Sequence, residues 1–232
     1  MKAEELALVQ GWDDTRAALA RWNAHPWPVL RGWALGSLAV ALLLLAATWV
    51  VAVSATPDPT RYAFPGITAP ATLGDFGFVL FRNGLVLALH ALACVAGFMA
   101  GASLPEVAKG YTGVVRWIHE KAGPLAIGFV VCATLFSLAT QAFALGHGAA
   151  DLAAQEGLSP LTLLLALSPH AIPELFALFL PLAAWTLASR RGAWNELLAA
   201  TFVTTAIAIP IIVLAASIEV WVSPRLILGL AE

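Results

Sequence analysis

Leu167-Ser-Pro-His-Ala-Ile-Pro-Glu-Leu-Phe-Ala-Leu-Phe-Leu-Pro-Leu-Ala-Ala-Trp185 is apolar for most of its length, yet it holds a histidine, a glutamate and three prolines. A charged side chain at the centre of a bilayer costs about 3 kcal/mol on insertion scales, so one that stands there needs a reason. The rest of the chain reads as the means of placing this segment in a membrane and packing other helices around it.

The wider composition agrees. The chain is 60% hydrophobic and 11% charged, with a mean hydropathy of +0.85. Soluble domains run at roughly 45–50% apolar and about 25% charged. The expectation is an all-α, polytopic membrane protein, with the lipid bilayer as its first partner. Net charge is −2, which argues against a nucleic-acid partner. Cys94 and Cys132 fall inside apolar runs without metal-ligand spacing and read as small core residues. About thirty residues precede the first apolar run, too many for the leading region of a signal peptide, so that run is expected to be retained.

Residues 1–32 are expected to form a cytoplasmic region built on an amphipathic helix over 3–22. Leu8, Trp12, Thr15, Leu19 and Trp22 recur at spacings of three and four, with Glu4, Glu5, Asp13, Asp14, Arg16 and Arg21 on other faces. Two readings stand open: a helix on the membrane surface with tryptophans at headgroup level, or one packed on the protein's own face. Residues 33–232 then read as a five-span domain, because each span needs about twenty apolar residues. The expected spans are 33–53, 84–103, 123–146, 159–188 and 196–222.

Three places in this scheme turn on local signals. Arg82 and Asn83 either lie inside one long helix over 76–102 or stand before a span that starts at Asn83-Gly84; the second keeps Arg82 near water and is preferred. Residues 104–122 and 147–158 read as soluble connections. In the fourth span, prolines 160, 169, 173 and 181 oppose one straight helix. Ser168-Pro169 has the form of a capped helix start, so this span is expected to be broken or kinked near Ser168–Pro173.

Basic residues in loops set orientation. With the N-terminus inside, Lys2, Arg16, Arg21, Arg31, Lys109, Arg116, Lys121, Arg190 and Arg191 are cytoplasmic, and Arg61 and Arg225 are outside. The pattern predicts a multi-pass protein of the cytoplasmic (inner) membrane, N-terminus in and C-terminus out.

That topology brings His170, Glu174, Glu219, Arg82 and Asn83 toward a common depth as an intramembrane polar cluster. The expected pairs are Arg82 with Glu219 and His170 with Glu174, the last two one helical turn apart. Four uses fit such a cluster: a packing device, a proton or ion relay, a ligand cavity at the broken helix, or a zinc hydrolase. A zinc centre needs three ligands; His90 would have to be the third, and no His-Glu-x-x-His is present. No metal or cofactor is therefore expected. No phosphate loop, nucleophile elbow or dinucleotide fingerprint occurs either, so enzymatic activity is not expected. The Gly97/Gly101 pair fits close helix packing and permits self-association.

Three stretches together resemble one family. Phe81-Arg82-Asn83-Gly84 is similar to its Phe-x-Asn-Asn segment. Ser168-Pro169-His170-Ala171-Ile172-Pro173-Glu174-Leu175 is similar to its Pro-His-Gly-x-x-Glu-Leu signature. Ala215-Ala216-Ser217-Ile218-Glu219-Val220-Trp221-Val222-Ser223-Pro224 is similar to its C-terminal Ala-Ala-x-x-Glu-x-x-x-(Ser/Thr)-Pro ending. The chain resembles the stage II sporulation protein M family of integral membrane proteins from about residue 76 to its end. Asn83-Gly84 replaces a double asparagine, Ala171 a glycine, and the connection at 104–122 is longer than in the family. The resemblance implies a five-span, non-enzymatic scaffold or partner-recruiting subunit, like the membrane component of a peptidoglycan-remodelling complex. Its partners would be cell-wall hydrolases or other envelope proteins. The alternative it implies is the membrane subunit of a transporter: a permease-like partner of an ATPase, or an ion or small-molecule carrier using His170 and Glu174.

Overall fold

A computed structural model describes residues 7–58, 60 and 64–232. Lys2, Glu4, Glu5, Pro59 and Arg61 lie outside them. The fold is all-α. Helix α1 runs Ala7–Ala24, α2 Pro26–Ser54, α3 Leu73–Phe98 (extended by a π-helical turn, Met99–Ser103), α4 Leu104–Ala108 and α5 Gly113–Gln155. Then follow α6 Pro160–Arg191, a 3₁₀ turn Trp194–Glu196, α7 Leu197–Trp221 and α8 Ser223–Ala231. Among the described residues, five helical stretches are long and apolar enough to cross a bilayer: Pro26–Ser54, Leu73–Ser103, Ile127–Gln155, Pro160–Arg191 and Trp194–Ala231.

Helix ends correct the expected boundaries, and capping chemistry explains each correction. The second span does not begin at Asn83. Thr72 and Asp75 form a reciprocal cap: the Asp75 carboxylate accepts from Thr72 N at 2.8 Å and Thr72 Oγ1 at 2.7 Å, while Asp75 N donates back to Thr72 Oγ1 at 3.3 Å. The helix therefore starts at Leu73 and carries Arg82 and Asn83 within it. The connections at 104–122 and 147–158 are largely helical. Arg116 and Glu120 pair one turn apart at 2.7 Å within α5. No proline follows Pro124 until residue 160, so α5 runs on to Gln155, two residues short of Gly157. That glycine, at φ +69°, closes the helix with Leu158 N donating to Ala153 O at 2.8 Å.

The fourth span is not broken. The serine-proline start expected at Ser168 is made nine residues earlier, where Ser159 Oγ accepts from Thr162 N at 3.1 Å and Pro160 takes the first helical position. Within α6, Pro169 has no N–H to give Leu165 O, and Ser168 Oγ donates to that carbonyl instead at 2.7 Å. The serine repairs the ladder where it was expected to interrupt it. Ser168→Ala is expected to cost about 1 kcal/mol in thermal unfolding, the worth of one such bond; no loss would mean that Leu165 O has another partner.

The chain divides into two compact units. The first comprises Met1–Ser37, Leu87–Thr134 and Phe179–Ala208; the second comprises Leu38–Val86, Leu135–Leu178 and Ile209–Glu232.

In the first unit, α1 packs on the protein's own surface. A Cβ added at Gly11 would lie 2.6 Å from Leu198 Cδ1, and Arg21 Nη2 pairs with Glu196 Oε1 at 2.8 Å. Trp22 meets Trp33 edge-on at 5.2 Å, beside an apolar pocket of about 180 Å³ that Leu19, Leu30 and Val203 also line. Of the two readings of this helix, packing is the one observed, with Trp12 left 64% exposed. Burial raises the pKa of Asp14, Asp13 raises it further and Arg21 opposes both. A carboxyl with a raised folded pKa loses stability as pH rises through that value. Asp14→Asn is accordingly expected to hold or raise the melting temperature at neutral pH, with the gain vanishing in acid.

In the second unit, small residues bring helices together. Ala52, Ala149, Ala150, Ala153, Leu163, Ala166 and Ile227 form one buried cluster. Gly146 lies so close to α2 that an added Cβ would sit 2.5 Å from Val51 Cβ. Val79, Ala216 and Val220 form a second cluster, joining α3 to α7.

Candidate cation site

The second unit also holds the polar residues. Helix α3 supplies Arg82 and Asn83, α6 supplies His170 and Glu174, α7 supplies Glu219 and α8 supplies Ser223. Their convergence follows from local structure. His170 and Glu174 share one face of α6 because they are four residues apart. Glu219 stands in the last turn of α7. The chain then passes Val222 into α8, whose first turn holds Ser223-Pro224, where a proline costs no hydrogen bond. Gly66 lies against that turn at φ +83°, and a Cβ there would lie 2.5 Å from Pro224 Cγ. Only glycine fits both the conformation and the contact.

Ligand atoms of His170, Glu174 and Glu219 all lie within 4.8 Å of one another. Asn83, His170 and Glu174 are 3%, 8% and 9% exposed. Arg82 Nη2 is 3.8 Å from Glu219 Oε1, at the long edge of an ion pair, and its side chain is 52% exposed. His170 Nδ1 and Ser223 Oγ are 2.6 Å apart. The Glu174 and Glu219 carboxyls stand within hydrogen-bonding reach of each other, with Asn83 beside Glu174. Two buried polar atoms of the cluster nevertheless lack a hydrogen bond, Asn83 Nδ2 and Glu219 Oε2.

All five expected members thus come together, and Arg82 pairs with Glu219 as expected. The expected His170–Glu174 pair is corrected: the histidine's hydrogen bond goes to Ser223, and Glu174 faces its fellow carboxylate. His90 belongs to the first unit, where its ring lies 5.6 Å from that of Phe179. The third ligand sought there is supplied by Glu219. Cys94 is buried with Sγ donating to Pro181 O at 3.2 Å, and Cys132 is exposed; both belong to the first unit, outside the cluster. Ser223 was not anticipated as a functional residue. Its one signal was its place beside Glu219 in the C-terminal motif, and spacing alone gave no way to match it with a histidine 53 residues away.

Two carboxyls in contact repel each other when both are ionised, unless positive charge stands between or beside them; otherwise one keeps its proton. Arg82 supplies such charge from the edge. The buried side, where His170 and Glu174 meet Glu219, offers one nitrogen and several oxygen donors. That donor set is of the kind that can hold a cation.

No family model, characterised protein or solved structure matches this chain.

Proposed function

We propose that the protein is a non-enzymatic integral membrane subunit that binds a cation at His170, Glu174 and Glu219, as a carrier or as the membrane part of a transporter. The observation carrying this reading is the convergence of three ligating side chains, with His170 and Glu174 buried and Glu219 partly so. Glu174 falls near the middle of the 32-residue α6, which suits a site inside the bilayer. The half-exposed Arg82 gives the cluster an edge at the protein surface. The basic-residue pattern supports an inner-membrane protein with the N-terminus in the cytoplasm and the C-terminus outside.

The test is cation flux in proteoliposomes containing the full chain. Flux should fall to the level of empty vesicles in Glu174→Gln while the variant still elutes as a folded protein. Equal flux in the two proteins would contradict the reading. Co-purification from native membranes tests the partner: a stoichiometric ATPase supports a transporter subunit. A stoichiometric cell-wall hydrolase would move the protein to the scaffold role implied by the family resemblance. For orientation, an N-terminal tag should be protected, and a C-terminal tag accessible, from outside intact spheroplasts.

A further inference from the structure

We propose that the cation is a divalent transition-metal ion, ligated by His170, Glu174 and Glu219, with Ser223 as a positioning residue and Arg82 as the counter-charge of the metal-free form. This rests on the cation-site reading and names the ion class. An imidazole among the donors is the first argument. Calcium and magnesium take oxygen ligands, whereas zinc, iron, cobalt and nickel accept imidazole nitrogen with carboxylate. Distance is the second. Bonds of about 2.1 Å place the donors of a four-coordinate ion about 3.4 Å apart. Here the three ligand atoms already lie within 4.8 Å of one another, a gap that small carboxylate rotations close.

The surroundings complete the case. A ligating histidine usually gives its other ring N–H to a fixed acceptor, which sets the tautomer and aims the ring. His170 Nδ1 has such a partner, Ser223 Oγ at 2.6 Å, and Nε2 is the nitrogen left for a metal. Asn83, 3% exposed with its amide nitrogen unmet, stands where it can hold the free oxygen of a metal-bound Glu174. The charges balance as well. Two carboxylates neutralise a divalent ion, and Arg82, half exposed and only loosely paired, can turn away from Glu219 without being buried. Metal and Arg82 thus compete for Glu219.

Metal-stripped full-length protein in detergent micelles would be titrated with Co²⁺ and followed by its visible d–d absorption and by equilibrium dialysis. One Co²⁺ per chain is expected, displaced by Zn²⁺. His170→Ala and Glu219→Gln should each weaken binding by at least tenfold, Ser223→Ala by about tenfold, and Arg82→Gln should tighten it. Melting of each metal-free variant checks the fold, and His170→Asn substitutes where alanine fails to fold. Binding no tighter than in a variant lacking all three ligands, or weaker binding in Arg82→Gln, would overturn the proposal. A parallel melt in Na⁺ and in Ca²⁺ separates the two ideas. A Glu174-dependent shift there without Co²⁺ binding sinks the transition metal and keeps the cation site; no shift with any cation sinks both.

Discussion

Gly101→Leu is expected to prevent the first unit from assembling, and Gly101→Ala to cost about 3 kcal/mol. Gly101 lies in the π-helical turn Met99–Ser103 at the end of α3. Its backbone presses on the face of Trp194, so that an added Cβ would sit 2.3 Å from ring atoms Cγ and Cδ2 and 2.9 Å from Cβ of that tryptophan. Real Cβ atoms do not approach so closely, and the obstacle is a rigid ring. One turn earlier, Gly97 is in the same position: its Cβ would meet Leu197 Cδ1 and Trp185 Nε1, both at 2.7 Å. Overpacking a tight contact by one methyl commonly costs about 1–3 kcal/mol and at times more. Fluorescence-detected size exclusion and thermal melting in detergent would check it. The pairing has a built-in control. Trp194→Ala removes the obstruction, so Gly101→Ala should cost far less in that background. An undiminished cost there, or none in the wild type, would refute the contact.

Glu174→Gln is expected to leave stability within about 1 kcal/mol of the wild type and to abolish the response to cations. Glutamine keeps the volume of glutamate, so no cavity opens. Its amide can donate to the otherwise unmet Glu219 Oε2, leaving Arg82 as sole counter-charge for a single carboxylate. What it cannot do is help to neutralise a bound cation. A packing role predicts the opposite pattern. Breaking one member of a buried charged group that exists for stability costs about 3–5 kcal/mol, and cation dependence would be absent from the start. Melting of both proteins with and without added cation separates the two. A large loss of stability in Glu174→Gln with no cation effect in either protein would return the cluster to packing.

Much of this was legible in the sequence because the signals were chemical and local. Five apolar runs gave five span-length helices. Arg82, Asn83, His170, Glu174 and Glu219 stood out because polar groups are conspicuous in apolar runs, and they do converge. The boundaries were less legible. Asn83-Gly84 and Ser168-Pro169 are sound helix starts in isolation, but Thr72-x-x-Asp75 and Ser159-Pro160 began those helices earlier, and a helix already under way overrides a second start signal. Hydrogen-bond partners were the least legible. That His170 would turn to Ser223, and that Glu174 would face Glu219, depends on how four helices are rotated about their axes. No spacing along the chain encodes that rotation. His90 was drawn in by residue type alone; the ligating atoms that gather are those of His170, Glu174 and Glu219.

If the point shared by His170, Glu174 and Glu219 is a cation site, cations must stabilise the folded protein through those residues. The full chain in lipid nanodiscs would be melted across a concentration series of Zn²⁺, Mn²⁺, Ca²⁺ and Na⁺. The same series would be run on the Glu174→Gln/Glu219→Gln double variant. A site that is saturated at a hundred times its dissociation constant stabilises the folded form by about 2.7 kcal/mol. A saturable rise of several degrees is expected with at least one cation in the wild type and none in the double variant. Identical curves for the two proteins in every cation would contradict it.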